Sequence, residues 1–181
     1  MVWKMASKND WLLEGFKILS EQGVQVLTIE SLCLRLGLTK GSFYHHFKGF
    51  NGYKTDLLAY FEQEGTLNII QLTEQAQTPS EKLAHLLEVT ANYPPNVEIA
   101  IRGWASQDDD VRQVQARVDA QRVGYLNTLF LEMGESSDRA HNLAQMLYTI
   151  YIGCQQIQPP IDEAGMSRLF HEFLDLYGGK S

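Results

Sequence analysis

The chain has 181 residues, 44% of them hydrophobic and 20% charged, so it is long enough to bury a core and too apolar for a disordered polyelectrolyte. No run reaches the ~18 uncharged apolar residues of a membrane span, and Lys8 and Asp10 interrupt any leader-like segment. The net charge of −7 argues against a nucleic-acid partner for the chain as a whole, but the charge is uneven. Residues 1–54 carry seven Lys/Arg against four Asp/Glu, net +3, whereas residues 55–181 are net −10. A basic head on an acidic body allows phosphate contact at one end only.

Asn9 or Asp10 caps a first predicted helix, whose broad apolar face holds Trp11, Leu12, Gly15, Phe16, Ile18 and Leu19 and which Gly23 closes. The stretch Thr28 to Phe47, TIESLCLRLGLTKGSFYHHF, then reads as two short helices joined by a tight turn. Ile29, Leu32, Cys33 and Leu36 form one apolar stripe, Thr28 caps it, and Glu30 sits in the first turn where an acid suits the helix dipole. Gly37 ends this helix in a conformation that glycine adopts most easily. Thr39 caps the second, and Phe43 and Phe47, four apart, give it one buried face. Lys40, Gly41, Ser42, Tyr44, His45 and His46 are left on its exposed sides and N-terminal end. Such a short donor-bearing helix after a glycine turn is a helix-turn-helix reader of DNA. Between Leu36 and Tyr53 there is no acid at all.

At these residues the sequence resembles the tetracycline-repressor (TetR) family of transcriptional regulators. The family pattern runs from a Thr through an apolar helix and Gly-apolar-Ser/Thr to Lys-Gly-x-aromatic-Tyr-x-His-Phe. Here it stands as Thr28, Gly37-Leu38-Thr39 and Lys40-Gly41-Ser42-Phe43-Tyr44-His45-His46-Phe47. The resemblance covers roughly the first third of the chain, with the preceding helix included. It implies DNA contacts from Thr28, Thr39, Lys40, Gly41, Ser42, Tyr44, His45 and His46, with Lys48 and Lys54 on backbone phosphates. Two departures carry expectations. Cys33 and Leu36 replace small Ala residues, which would spread the two helices. Lys48 to Lys54 reads as a longer, glycine-punctuated link than the family's.

Beyond the head, Thr55 is read as the cap of a long helix from Asp56 to about Gln75, with Gly65 inside it as a bend or close-packing point. Pro79 and Ser80 start a helix carrying Leu83, Leu86, Leu87 and Val89, which Pro94-Pro95 ends. Asn96 caps a short one with Ile99, Ile101 and Trp104. Asp108-Asp109-Asp110 is better read as a cap for the next helix than as a metal cluster, because adjacent side chains diverge. That helix lines up Val111, Val114, Val118, Tyr125, Leu129 and Met133 and stops at Gly134. Ser137 opens a helix to Ile157, and Asp162 starts a last one. Both are apolar around more than one face, so they need cover on two sides, and the simplest second cover is the same pair from another copy. Leu147, Tyr151, Cys154, Phe170, Phe173 and Leu174 are the interface candidates. The resembling family also dimerises through its last two helices.

The fold expectation is therefore all-α, with about nine helices. An N-terminal helix-turn-helix DNA-binding head spans residues 1–54, and a helical ligand-binding and dimerisation body spans 55–181. Tyr93, Trp104, Tyr125, Phe130 and Tyr148 are candidates to line a pocket for a small apolar or aromatic effector. Cys33 and Cys154 read as reduced core thiols. His45 and His46, adjacent on a helix, make a poor metal pair, and no nucleophile motif or phosphate loop occurs. The expectation is a cytoplasmic, homodimeric regulator of double-stranded operator DNA, a repressor rather than an enzyme, with no cofactor, metal or membrane partner. The alternative is an all-helical enzyme or carrier that retains a head-like segment.

Overall fold

The computed structural model describes residues 6–92 and 95–178, and every regular element within them is helical. The first three helices are α1 (Lys8–Gln22), α2 (Ile29–Leu36) and α3 (Lys40–His46), with a 3₁₀ turn (Val24–Val26) before α2. α4 runs as Phe50–Glu62, passes through a π-helical turn (Gln63–Leu67) and resumes as Asn68–Thr73. α5 (Pro79–Ala91), α6 (Pro95–Ala105), α7 (Asp109–Glu132), α8 (Ser137–Gln156) and α9 (Glu163–Gly178) complete nine helices among the described residues. None of them is long and apolar enough to cross a membrane. The chain divides into two compact units, one built from the residues up to Gln63 with Asn96–Gln115, the other from Glu64–Pro95 and the chain from Ala116 onward.

The caps explain where the helices begin. Ser7, rather than Asn9 or Asp10, caps α1, because its hydroxyl accepts from Asp10 N while the Asp10 carboxylate accepts from Ser7 N at 2.7 Å. Thr28 and Thr78 make the same reciprocal arrangement with Ser31 and Glu81. α4 starts at Phe50 rather than after Thr55, so the long link expected between Lys48 and Lys54 does not exist; only Lys48 and Gly49 separate it from Phe47. Gly49 makes this possible with φ +107°, a backbone that a side chain would strain. Gly65 falls in the π turn and is buried there, at the point where the sequence reading places a bend or close-packing point. α6 takes Pro95 as its first residue, where proline's missing N–H is harmless.

The first unit is centred on aromatic rings. Trp11, Phe43 and Tyr53 are fully buried, with Phe47 nearly so. Phe43 meets Trp11 edge-on at 5.4 Å between centroids and lies 5.0 Å from Phe47, which in turn meets Tyr53 edge-on at 5.0 Å. Tyr53 donates its hydroxyl to the Trp11 carbonyl at 2.9 Å across the backbone of Gly15. A Cβ on Gly15 would stand 1.8 Å from that hydroxyl oxygen, so the position has no room for any side chain. Arg35 on α2 ties back to α1, Nε to Glu14 at 2.5 Å and Nη1 to Glu21 at 2.7 Å.

In the second unit, α5, α7, α8 and α9 supply one apolar core that includes Leu83, Leu129, Phe130, Leu147, Cys154 and Phe170. Most of the interface candidates fall inside this core: Leu147, Tyr151, Cys154, Phe170 and Phe173 are buried within their own chain, and half-buried Leu174 packs against it. The large apolar residues that stay exposed on α8 and α9 are different ones: Met146, Leu169 and Leu176, with Ile157 just past the end of α8. A helix with a full apolar circumference gives its best-packed side to its own core, and spacing alone does not say which side that is.

Candidate nucleic-acid interface

α3 is only seven residues long, so its stability comes from docking rather than from its own hydrogen bonds. Phe43 and Phe47 supply that docking. Once they point inward, geometry turns Lys40, Gly41, Tyr44 and His45 outward, and all four are exposed. The turn before α3 is fixed by Gly37 in the left-handed region at φ +67°, with Leu38 N donating to the Cys33 carbonyl at 2.9 Å. Cys33 is buried and Leu36 half-buried.

The predicted DNA-contact residues are placed as follows. The Thr39 hydroxyl caps α3 by accepting from Ser42 N, and the Thr28 hydroxyl caps α2. Both threonines are exposed and Ser42 is half-buried. Lys40 Nζ pairs with Glu30 of α2, an exposed contact that raises the lysine's pKa and lowers that of the carboxylate through their hydrogen bond. Exposed pairs of this kind are worth little in water, so the ammonium can be transferred to a phosphate or base edge at small cost. Lys48 is exposed beside the end of α3.

Two residues stand apart from this surface. The His46 Nε2 lies 2.9 Å from the Ala6 carbonyl and ties α3 to the segment before α1. Lys54 has a side chain only 13% exposed and reaches Asp108 at 3.0 Å and Asp110 at 2.7 Å. Its ammonium is thereby engaged away from a phosphate, and the tie links α4 to the start of α7. The acidic triplet acts as the expected cap: Asp108 Oδ1 accepts from the N–H groups of Asp110 and Val111. Sequence periodicity had no means of pairing Lys54 with a residue more than fifty positions away.

The second unit holds a cavity lined by Gly65, Thr66, Ile69, Ile70, Leu86, Leu87, Thr90, Arg122, Tyr125, Leu126, Leu147, Tyr148, Tyr151 and Phe170. Of the predicted pocket residues, Tyr125 and Tyr148 line it. Trp104 does not: it is buried in the first unit. Phe130 is fully buried in the core, 6.3 Å from Phe173 and 5.5 Å from Tyr177, and does not reach the wall. Tyr93 lies outside the described residues. The hydroxyls of the two lining tyrosines are fixed by carboxylates, Tyr125 to Glu74 at 2.6 Å and Tyr148 to Asp119 at 2.7 Å. Burial first and the Glu74 hydrogen bond second push the Tyr125 pKa up to about 12. Arg122 was missed, although its signal was present: it breaks the α7 stripe four residues after Val118 and three before Tyr125. Among the described residues no group of three or more His, Cys, Asp and Glu side chains is arranged to hold a metal.

Residues 12–59 match the model of the tetR family of bacterial regulatory proteins. No curated protein matches the sequence. Among solved structures, the chain is similar to a Rhodococcus sp. protein assigned as a TetR-family transcriptional regulator, with TM-score 0.78 at 15% identity over 94% of this chain and 98% of that one. It is similar as well to a transcriptional regulator from Rhodococcus sp. Rha1, with TM-score 0.71 at 16% identity over 94% and 97%. A Pseudomonas aeruginosa PAO1 protein assigned as a transcriptional regulator gives TM-score 0.70 at 13% identity over 93% and 88%. At these identities the likeness is one of fold.

Proposed function

The chain belongs to the tetR family of bacterial regulatory proteins through residues 12–59, and from that premise we propose that it is a cytoplasmic, homodimeric repressor. It binds a near-palindromic operator and is released by a small-molecule effector. The observation that carries this reading is the two-sidedness of α3, whose phenylalanines are sunk in an aromatic core while Lys40, Tyr44 and His45 are held exposed in a stretch without acids. The helix N-terminus enters the major groove. Lys40 takes guanine acceptors or phosphate, Ser42 takes base edges, and Thr28, Thr39, Tyr44 and Lys48 take backbone oxygens. The helix-turn-helix of the first unit acts in DNA binding, and the second unit acts in ligand binding and dimerisation.

The partner surface in this proposal is carried by the apolar residues that stay exposed. On α8 these are Met146 and, just past its end, Ile157, with half-buried Ile150 and Gly153 between them at i+4 and i+7, and on α9 they are Leu169 and Leu176, seven apart. Two copies of this face meet isologously and hold two heads about 34 Å apart, one helical turn of DNA. The cavity beside Arg122 receives the effector, which must prefer the DNA-free state in order to release it.

Selection of bound genomic fragments, with and without candidate effectors, tests the proposal. A regulator enriches fragments sharing a near-palindrome, and enrichment of random sequence would refute it. For the dimer, Met146→Asp should halve the mass in solution with the helical content unchanged. A mass insensitive to that change would contradict this face. Tyr151→Asp is unsuitable, because it buries a charge in the chain's own core.

A further inference from the structure

Helix α2 carries two ion-paired residues in different settings. Arg35, near its end, has a side chain 27% exposed and binds Glu14 and Glu21 of α1, so it belongs to the packing of the head. Glu30, in the first turn, meets Lys40 at the start of α3, and these side chains are 66% and 58% exposed. A pair so open to water adds little to stability. Phe43 and Phe47 already dock α3 without it. The consequence of the Glu30 contact therefore lies in the charge of the surface that α3 presents.

Lys40 is the cation at the N-terminal end of that helix, and the sequence from Leu36 to Tyr53 brings no acid of its own. Glu30 is brought there from α2 by the fold. An ammonium has three N–H donors. One goes to Glu30, and two remain, the number that guanine O6 and N7 accept. A phosphate makes a different demand. It is drawn to net positive charge, and a lysine paired with a carboxylate offers almost none. The first helix of a helix-turn-helix crosses the DNA backbone, so a carboxylate in its first turn also meets the repulsion of the phosphates.

Given α3 as the groove-entering helix, the reading on which this rests, we propose that Glu30 is a specificity-determining residue. It holds the Lys40 ammonium toward base edges and weakens binding to DNA that offers phosphates alone. Specificity is a difference between two affinities and rises when the wrong partner is penalised. Without the Glu30 charge, Lys40 swings onto phosphate oxygens of any duplex. On the operator the same loss relieves a repulsion but also releases the aimed base contact, and the two changes oppose each other.

Anisotropy titrations at one fixed salt concentration test this on the full chain. The probes are a fragment recovered in the genomic selection and a scrambled duplex of the same length and composition. Glu30→Gln, at a melting temperature close to the wild type, should bind the scrambled duplex about threefold or more tighter and lower the operator-to-scrambled ratio by a similar factor. Glu21→Gln removes one acid from the head while leaving Lys40 and Glu30 paired, and should leave the ratio unchanged. A ratio unaltered by Glu30→Gln, or lowered equally by Glu21→Gln, would overturn the proposal while α3 remained the reader. Operator binding that survives Lys40→Ala would remove the groove reading and this proposal with it.

Discussion

The two units solve the burial problem in opposite ways. In the head, a small volume is filled by interlocking rings around Phe43, and Lys40, Tyr44 and His45 of α3 are left on the outside. In the body, a larger core tolerates a hollow, a guanidinium in its wall, and apolar residues such as Met146 and Leu176 facing outward. Under the proposed function, the first arrangement presents the edge that reads a groove, and the second leaves exposed apolar surface and space for a ligand and a second copy.

The contrast is tested most severely at Phe43. Phe43→Ala removes a fully buried ring that meets four other aromatic side chains, and should destabilise the head by about 3–5 kcal/mol in urea unfolding. Removing Ile70 from the cavity wall (Ile70→Ala) should cost less than the core range, because the space beside it is already open. Equal losses at both sites would erase the distinction between the units. Next in size is Gly15→Ala, which drives a methyl into the Tyr53 hydroxyl and breaks its bond to Trp11. About 1–3 kcal/mol of stability should disappear, again by urea unfolding.

A pH effect follows from Asp108. Burial pushes its pKa up, but the hydrogen bond from Lys54 and those from the α7 backbone more than offset this, so the carboxyl is held below its ordinary value of 3.8. A lowered folded-state value stabilises above the unfolded value and is lost as pH falls through the lowered one. Below pH ~4 the head should therefore weaken faster in the wild type than in Asp108→Asn, as read by melting temperature against pH. Parallel profiles would show that the Lys54 tie contributes nothing.

Local chemistry was legible in the sequence and remote pairing was not. Thr28, Gly37, Thr39, Phe43 and Phe47 announced a helix-turn-helix because caps, a left-handed glycine and a four-residue spacing act within one or two turns. Distance defeated the reading elsewhere. Nothing near Lys54 indicates Asp108, and nothing near Trp104 or Phe130 indicates that each is buried away from the cavity. Spacing marks α8 and α9 as doubly apolar, but composition does not rank their faces, so it does not say that Leu147, Tyr151 and Phe170 are the ones taken by the chain's own core. Arg122 was the one body residue with a usable local signal, a charge interrupting an apolar stripe.

The smallest expected stability effect belongs to the largest expected functional one. Lys40→Ala loses only an exposed pair with Glu30, so its melting temperature should match the wild type. Anisotropy titrations of operator DNA at several salt concentrations test the central claim most directly. The logarithm of wild-type affinity should fall linearly with that of salt, and Lys40→Ala should weaken binding at least tenfold with a slope shallower by about one. An affinity indifferent to salt, or unchanged in the folded Lys40→Ala and Tyr44→Phe variants, would mean that α3 does not read the groove.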